Sequence, residues 1–389
     1  MTRPLTVVQL LPALDAGGVE RSTLEIAAAL LDAGHRAIVV SAGGRLLPAL
    51  QTIGAEHIVL PIGRKSPLTL RHILSLRTLF RDTRADIVHA RSRLPAWLAV
   101  AALHGMRAPP HFVTTMHGLN SPGRYSGVML RGERTICVSE TVRAYALQHY
   151  PGIDPARLVV IPRGVDPQAF HHDAATHIDA GSVDRRMEGL RPTDADWRAE
   201  FIAAHPQIDG RRLLLMPARG TRLKGHAHAL RLLAMLRADG VDVRLLFAGV
   251  VQPGRERYLR ELRAQGDALG LRDVVAYTAP LARMRAVYAL SDLVLQLSDQ
   301  PESFGRTVLE ALCSSRAVLG WDHGGVGDLL RELFPDGAVA LGDAQGLAAR
   351  AKSLLDAPRP TIRLPDRYTL ARMQTDTLSL YASLVANNA

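Results

Sequence analysis

A short β-branched run, a loop and an apolar-periodic helix recur along almost the whole chain, and this alternation limits the fold more than any other feature. In the first half it predicts strands at Thr6–Leu11, Ala37–Ser41, His57–Leu60, Asp86–Ala90, Phe112–Thr115, Ile136–Val138 and Leu158–Ile161. Helices are expected at Val19–Leu31, stopped by Gly34, and at Leu68–Arg81, Arg93–Leu103 and Ser139–Tyr150. Strands alternating with helices at this spacing describe an α/β fold with an open parallel sheet covered on both faces. The pattern fails from Asp166 to Asp209, where Pro167, His171, His172, Asp173, Asp179 and Asp184 to Asp196 leave a polar stretch without a period. It then resumes, with strands at Arg212–Met216, Val243–Phe247, Asp273–Tyr277, Leu293–Leu297 and Ala317–Leu319. The helices of this half fall at Gly225–Ala238, Arg255–Leu269, Leu281–Leu290, Gly305–Ser314 and Asp343–Leu355.

The expected organisation is therefore a first α/β domain over 1–165, a linker or insertion over 166–209 and a second α/β domain over 210–368. The last segment, 369–389, carries an amphipathic stretch, Leu370–Leu384, that closes the second domain or crosses back to the first. At 389 residues and 47% hydrophobic, the chain has enough apolar surface for two cores. Ligands of parallel α/β sheets bind outside the carboxyl ends of strands, so function is sought in those loops and in the cleft between the two domains.

Composition removes several classes. Cys137 and Cys313 lie far apart, outside any CxxC spacing, which excludes a disulfide framework or a cysteine zinc site and favours a reducing, cytoplasmic setting. No apolar run approaches the roughly 18 residues that span a bilayer. Arg3 and the apolar run Leu5–Leu14 imitate a signal peptide, but Asp15 and the glycines that follow read better as strand, loop and helix. Residues 1–165 hold 19 Arg or Lys against 10 Asp or Glu, whereas the remainder is nearly balanced. A basic first half attracts nucleic acid, an anionic lipid surface or a phosphorylated substrate. It lacks the interleaved aromatics of a single-strand binder and any recognised DNA-binding pattern, so nucleic acid is not expected as a partner.

Chemistry concentrates in a few loops. After the strand Leu293–Leu297 comes Ser298-Asp-Gln-Pro-Glu-Ser-Phe-Gly-Arg-Thr-Val-Leu-Glu310. Ser303 is placed to cap a helix starting near Phe304 or Gly305, and amides of that first turn suit an anion or a polyhydroxyl ligand. Glu302 and Glu310 can each accept bonds from vicinal hydroxyls; equally, Glu302 can complement the helix dipole and Glu310 can be a solvated helix residue. After Leu213–Met216 the loop offers Arg219, Arg222 and Lys224 before a helix, where adjacent cations call for an anion such as a diphosphate, or form a solvated basic loop. Arg supplies 44 of the 47 basic residues, which makes a lysine at 224 the exception and favours a compact ammonium there.

Gly17 and Gly18 permit close backbone approach, but the spacing is not GxGxxG. His117 follows a strand and is either a satisfied polar residue or part of the site. His226 and His228 face different ways on a helix. With no HExxH or carboxylate cluster, no metal site is expected, and no GxSxG elbow supports a hydrolase.

Taken in order, Gly17-Gly-Val-Glu-Arg, Thr115-Met-His-Gly, Cys137-Val-Ser-Glu, Ile161-Pro-Arg-Gly-Val-Asp, Arg219 with Lys224-Gly, and Pro301-Glu-Ser-Phe-Gly-Arg-Thr-Val-Leu-Glu-Ala closely resemble the family 4 retaining glycosyltransferases. The resemblance implies the GT-B fold, two Rossmann-like parallel-sheet domains facing across a cleft, with the acceptor on the first and a nucleotide sugar (UDP-, GDP- or ADP-linked) on the second. It gives Arg219 and Lys224 the diphosphate, Glu310 the ribose, and Glu302 hydroxyls of the transferred sugar, helped by Ser303, Phe304 and Gly305. By the same resemblance Gly17 and Gly18 contact the donor and His117 sits beside the reacting sugar. Neither a metal nor a further cofactor is implied.

Two departures stand out. The chain has Ala218-Arg-Gly and Leu223 where relatives carry Gly-Arg-Leu and an aromatic, and Arg163 where many have Asn. An extra guanidinium at 163 suits an anionic group in the cleft, from the acceptor or another anion. The resemblance extends to a saccharide or lipid-linked acceptor in bacterial envelope polysaccharide or lipopolysaccharide core assembly. It also extends to peripheral contact with the anionic inner face of the cytoplasmic membrane through Arg64, Lys65, Arg71, Arg77, Arg81 and Arg84. A nucleotide-sugar 2-epimerase and a non-catalytic nucleotide-sugar binder are the alternatives on the same fold.

Overall fold

The computed structural model describes residues 3–15, 17–170 and 194–386. The first compact unit takes the chain up to Gly164 and again from Asp366; the described residues from Val165 to Pro365 form the second. In the first unit β1 (Thr6–Leu10), β2 (Arg36–Ser41), β3 (Glu56–Val59), β4 (Ile87–Ala90), β5 (His111–Met116), β6 (Arg134–Cys137) and β7 (Leu158–Val160) make one parallel sheet, ordered β3-β2-β1-β4-β5-β6-β7. In the second, β8 (Arg212–Pro217), β9 (Val243–Ala248), β10 (Val275–Tyr277), β11 (Leu293–Gln296), β12 (Ala317–Trp321) and β13 (Ala338–Val339) are ordered β10-β9-β8-β11-β12-β13. All pairings are parallel, from Val7 beside Ile87 to Leu293 beside Leu214. Strand order reverses between β1 and β4 and between β8 and β11, the points where such sheets open a crevice for ligands.

The strands are apolar runs because both faces are covered: Val7, Val8 and Leu10 of β1 and Ala37 to Val40 of β2 are all buried. The helix Gly18–Asp32 sends Leu24, Ile26, Ala27 and Leu30 into the first core, where Met373, Tyr381 and Leu384 of the helix Leu370–Ala386 join them. A separate core in the second unit gathers Leu214, Leu233, Phe247, Leu295 and Trp321.

Several local expectations change. The expected helix Leu68–Arg81 begins as a 3-10 turn, Pro67–Arg71, capped by Ser66, and becomes α-helical only over His72–Asp82. Within the polar stretch a helix runs over Asp194–Ala204, held by a ladder in which Trp197 stacks on Phe201 at 4.8 Å and Phe201 meets His205 at 4.6 Å. One narrow aromatic stripe supplies too few apolar residues for a period to register. Residues His171, His172, Asp173, Asp179 and Asp184 lie outside the described residues. Among the described residues no helix is long and apolar enough to cross a membrane.

Candidate active site

The loops leaving β8 and β11 are drawn together at the second sheet's switch point. Gly225 has φ +76°, and a Cβ there would stand 1.7 Å from the Leu297 carbonyl oxygen, so only glycine lets the β8 loop lie against the end of β11. The Asp299 amide donates to Leu223 O at 2.9 Å, and His228 Nε2 meets Asp299 Oδ1 at 2.6 Å. This brings Lys224 Nζ to 2.5 Å from Glu302 Oε1, the oxygen that also accepts from Ser298 Oγ. Burial alone would raise the Glu302 pKa. The Lys224 charge, the hydrogen bonds from Lys224 and Ser298 and the charge of Arg219 outweigh it and hold the carboxyl below its usual range. Both partners remain 26% exposed, so a ligand can reach them. Arg222 turns away, pairing with Glu261 and lying 5.7 Å over the Tyr258 ring.

The cap differs from expectation. Gly305, at φ +105°, is the N-cap of the helix Arg306–Cys313, and no side-chain cap bond forms there. Ser303 therefore stands two residues ahead of the N-cap, in the loop itself. A Cβ at Gly305 would lie 2.9 Å from Val326 Cγ2, so close packing selects glycine over a capping serine. Phe304 is buried beside Gly325, whose amide donates to Glu302 O at 2.8 Å and anchors the loop. Glu310 is no solvated helix residue: it is buried, accepting from Arg306 Nε at 3.1 Å and from Tyr288 OH at 2.9 Å. The two glutamates thus have different cations, Lys224 for Glu302 and Arg306 for Glu310.

In the first unit, Gly17 is the N-cap of the helix whose first residue is Gly18. His117 follows β5, and Arg163, three residues past the end of β7, donates from Nη2 to His117 Nδ1. That bond puts the imidazole proton on Nε2. Burial, and then the charges of Arg163, Arg91 and His89, hold His117 well below the usual histidine range, so it is neutral.

Sequence reading missed the shell behind it. His89, fully buried at β4, bonds to Thr115 Oγ1 through Nε2 and to Tyr381 OH through Nδ1, each at 2.6 Å. Arg91 donates to Gln9 Oε1 at 2.8 Å and to Ser22 Oγ at 3.1 Å. His89 and Arg91 stand at the strand bordering the switch point, the one signal that could have singled them out.

Known proteins resemble this chain in sequence and fold. Residues 16–169 match the family model described as Glycosyltransferase Family 4, and residues 198–369 match that of Glycosyl transferases group 1. The chain is 30% identical to 2-deoxystreptamine glucosyltransferase of Streptomyces kanamyceticus, over 82% of this chain and 89% of that one. It is 25% identical to phosphatidyl-myo-inositol mannosyltransferase of Mycolicibacterium smegmatis, over 87% and 81%. Of solved structures, a glycosyltransferase from Rickettsia africae ESF-5 matches with TM-score 0.80 and 26% identity over the whole of both chains. Anabaena Alr3699/HepE in complex with UDP-glucose matches with TM-score 0.73 and 19% identity over 99% of each. With its two halves each matched by a glycosyltransferase model and a 30% identical relative spanned over most of its length, this chain belongs to family 4 of the glycosyltransferases and has their GT-B fold.

Proposed function

We propose that the protein moves a sugar, with retention at the anomeric carbon, from a nucleotide sugar bound by the second unit to a saccharide or lipid-linked acceptor bound by the first. Its setting is the assembly of bacterial envelope polysaccharide or lipopolysaccharide core. The observation that carries this reading is the half-buried Lys224–Glu302 pair with Arg219 beside it. As the bond from the anomeric carbon to the diphosphate oxygen breaks, Lys224 and Arg219 stabilise the charge growing on the leaving group. Glu302 accepts hydrogen bonds from sugar hydroxyls, and Glu310, oriented by Arg306 and Tyr288, accepts those of the ribose. Ser303, Phe304 and Gly305 supply the backbone beside the donor, and Gly17 and Gly18 offer amides at a helix start. His117 donates from Nε2 to the reacting sugar as a neutral imidazole, while the acceptor hydroxyl proton passes to a donor phosphate oxygen. The chain's own cations carry the electrostatic work. Arg163 binds an anionic group of the acceptor.

A peripheral membrane role draws on the segment 57–81, which has no acidic residue. Leu68, Leu70 and Leu74 are 72%, 59% and 68% exposed on one stretch with exposed Arg64, Lys65 and Arg71. Insertion of the leucines and attraction of the cations both favour an anionic leaflet. Arg77 belongs elsewhere, since its guanidinium donates to the carbonyls of Ala102 at 2.9 Å and His104 at 2.7 Å.

The test is incubation with a panel of UDP-, GDP- and ADP-sugars, followed by NMR of the product. Transfer or slow hydrolysis with an unchanged anomeric configuration is expected. Isomerised nucleotide sugar would identify a 2-epimerase instead, binding without turnover a non-catalytic binder, and an inverted product would overturn retention.

A further inference from the structure

At the amino ends of β8 and β11, the end of the second sheet opposite the Lys224 and Glu302 loops, lies a cavity of about 350 Å³. Arg198, Arg211 and Arg359 line it, together with Asp209 and Asp292. Asp209 and Asp292 supply only part of the counter-charge. Asp292 accepts from the Leu213 amide at 2.7 Å, and Arg211 is paired with Asp242 at 2.9 Å. Among the described residues neither Arg198 nor Arg359, both exposed, pairs with a carboxylate.

Arg316 stands behind the wall formed by Ala289. Its Nη2 donates to Ala289 O and its Nε to Tyr288 O, each at 2.9 Å, and the residue is 1% exposed. Its Nη1 is buried without a hydrogen-bond partner among the described residues. Burial first, then Arg359 and also Arg198, bring its pKa down to about 10 against the opposing charge of Asp292. Arg198, Arg211, Arg316 and Arg359 outnumber Asp209 and Asp292 around this cavity, and the excess positive charge favours an anion there.

We infer that this cavity is a second anion site of the enzyme, binding a phosphate monoester of small-molecule size through the guanidinium forks of Arg198 and Arg359. The planar fork matches phosphate oxygens in pairs. The volume falls at the lower end of small-molecule sites, roughly 300–1,000 Å³, which suits a phosphorylated sugar or polyol. The wall also reaches the donor side: Arg316 holds the Tyr288 carbonyl, and the Tyr288 hydroxyl donates to Glu310.

The experiment is calorimetric titration of the full chain with glucose 6-phosphate, with inorganic phosphate as a second probe. Because phosphate also finds Arg219 and Lys224, the Arg219→Ala/Lys224→Ala variant is titrated alongside. Saturable glucose 6-phosphate binding is expected to survive in that variant and to weaken about tenfold or more in Arg198→Ala/Arg359→Ala. Arg198→Lys/Arg359→Lys keeps the charge, and an unchanged thermal midpoint in both pairs shows the fold intact. Absence of saturable binding, or binding that follows Arg219 and Lys224 and ignores Arg198 and Arg359, would overturn the site. Inorganic phosphate binding as tightly as the ester would overturn the ester assignment. Transferase activity with the sugar panel is read separately, so the fate of the catalytic proposal is distinguishable.

Discussion

Arg163 donates to His117 Nδ1, an arrangement in which a cation faces an imidazole and keeps it from becoming a second one. Burial is the larger cause of that neutrality, with Arg163, Arg91 and His89 adding to it. The kcat profile is accordingly expected to show no histidine titration between pH 6 and 8. His117→Ala should lower kcat on the order of 10²-fold, as for loss of one preorganised donor. Arg163→Met removes the bond and one repelling charge, so the His117 pKa rises while burial still holds it below normal; nitrogen-15 NMR of the ring reads both the tautomer and the shift. An imidazolium at pH 7 in the native enzyme would refute the assignment.

Glu302 and Lys224 should be separable by pH. Glu302→Gln keeps the shape and removes the charge, and kcat is expected to fall on the order of 10²-fold. Lys224→Met leaves burial acting on a carboxyl that has lost its largest favourable charge, so its pKa must rise. The acid limb of the kcat/KM profile then moves to higher pH. A limb that stays where the native enzyme has it would show that Glu302 does not govern it.

Gly225→Ala tests how the two loops are joined. The left-handed backbone alone costs about 1–2 kcal/mol for a residue with a Cβ, and the Leu297 carbonyl must also move. Calorimetry should show a lowered midpoint together with weakened UDP binding. Full donor affinity in a destabilised variant would separate the glycine from the site.

His226 gives the second unit a pH dependence with a definite sign. Burial, opposed by a hydrogen bond that the ring donates to the Thr221 backbone and aided by the smaller effect of the Lys224 charge, pushes it down to about 4. The unfolded chain takes up this proton near its ordinary pKa, so the stabilisation is complete above about pH 6.5 and is lost as pH falls towards 4. The loss from this group is about 3 kcal/mol across that window. His226→Gln should flatten the slope of stability against pH measured by denaturant titration, and an unaltered slope would count against it.

Membrane contact predicts two separable effects on liposomes. Arg64→Glu/Lys65→Glu/Arg71→Glu should abolish the salt-sensitive part of binding to phosphatidylglycerol vesicles, about 1 kcal/mol for each cation neutralised near the surface. Leu68→Ser/Leu70→Ser/Leu74→Ser should weaken binding at any salt concentration. Association indifferent to both sets would remove the membrane role.

The order of strands and helices was legible because buried parallel strands are written as apolar runs, and β1, β2 and β11 are each built around one: Val7-Val8, Ala37 to Val40 and Leu293 to Leu295. Glu302, Lys224 and Arg219 could be picked out because each follows a strand end at the reversal of strand order. What stayed hidden depends on distance along the chain. Tyr381 reaches His89 across 292 positions, and no local pattern announces such a bond. Arg222 has the same composition and neighbourhood as Lys224, yet Glu261 and the Tyr258 ring capture it. Ser303 has the chemistry of a cap but not the place, since Gly305 fits where Val326 leaves no room for a side chain.

Tyr381 has one more consequence. The helix Leu370–Ala386 lies at the far end of the chain, but its tyrosine completes the polar shell behind His117 and its apolar face covers Ile26 and Leu30. Deleting it would injure the opening segment rather than its sequence neighbours. During synthesis on the ribosome, the first sheet has to wait for residues 366–386 before its core can be sealed, so any fragment meant to isolate that unit must join segments from both sides of the second.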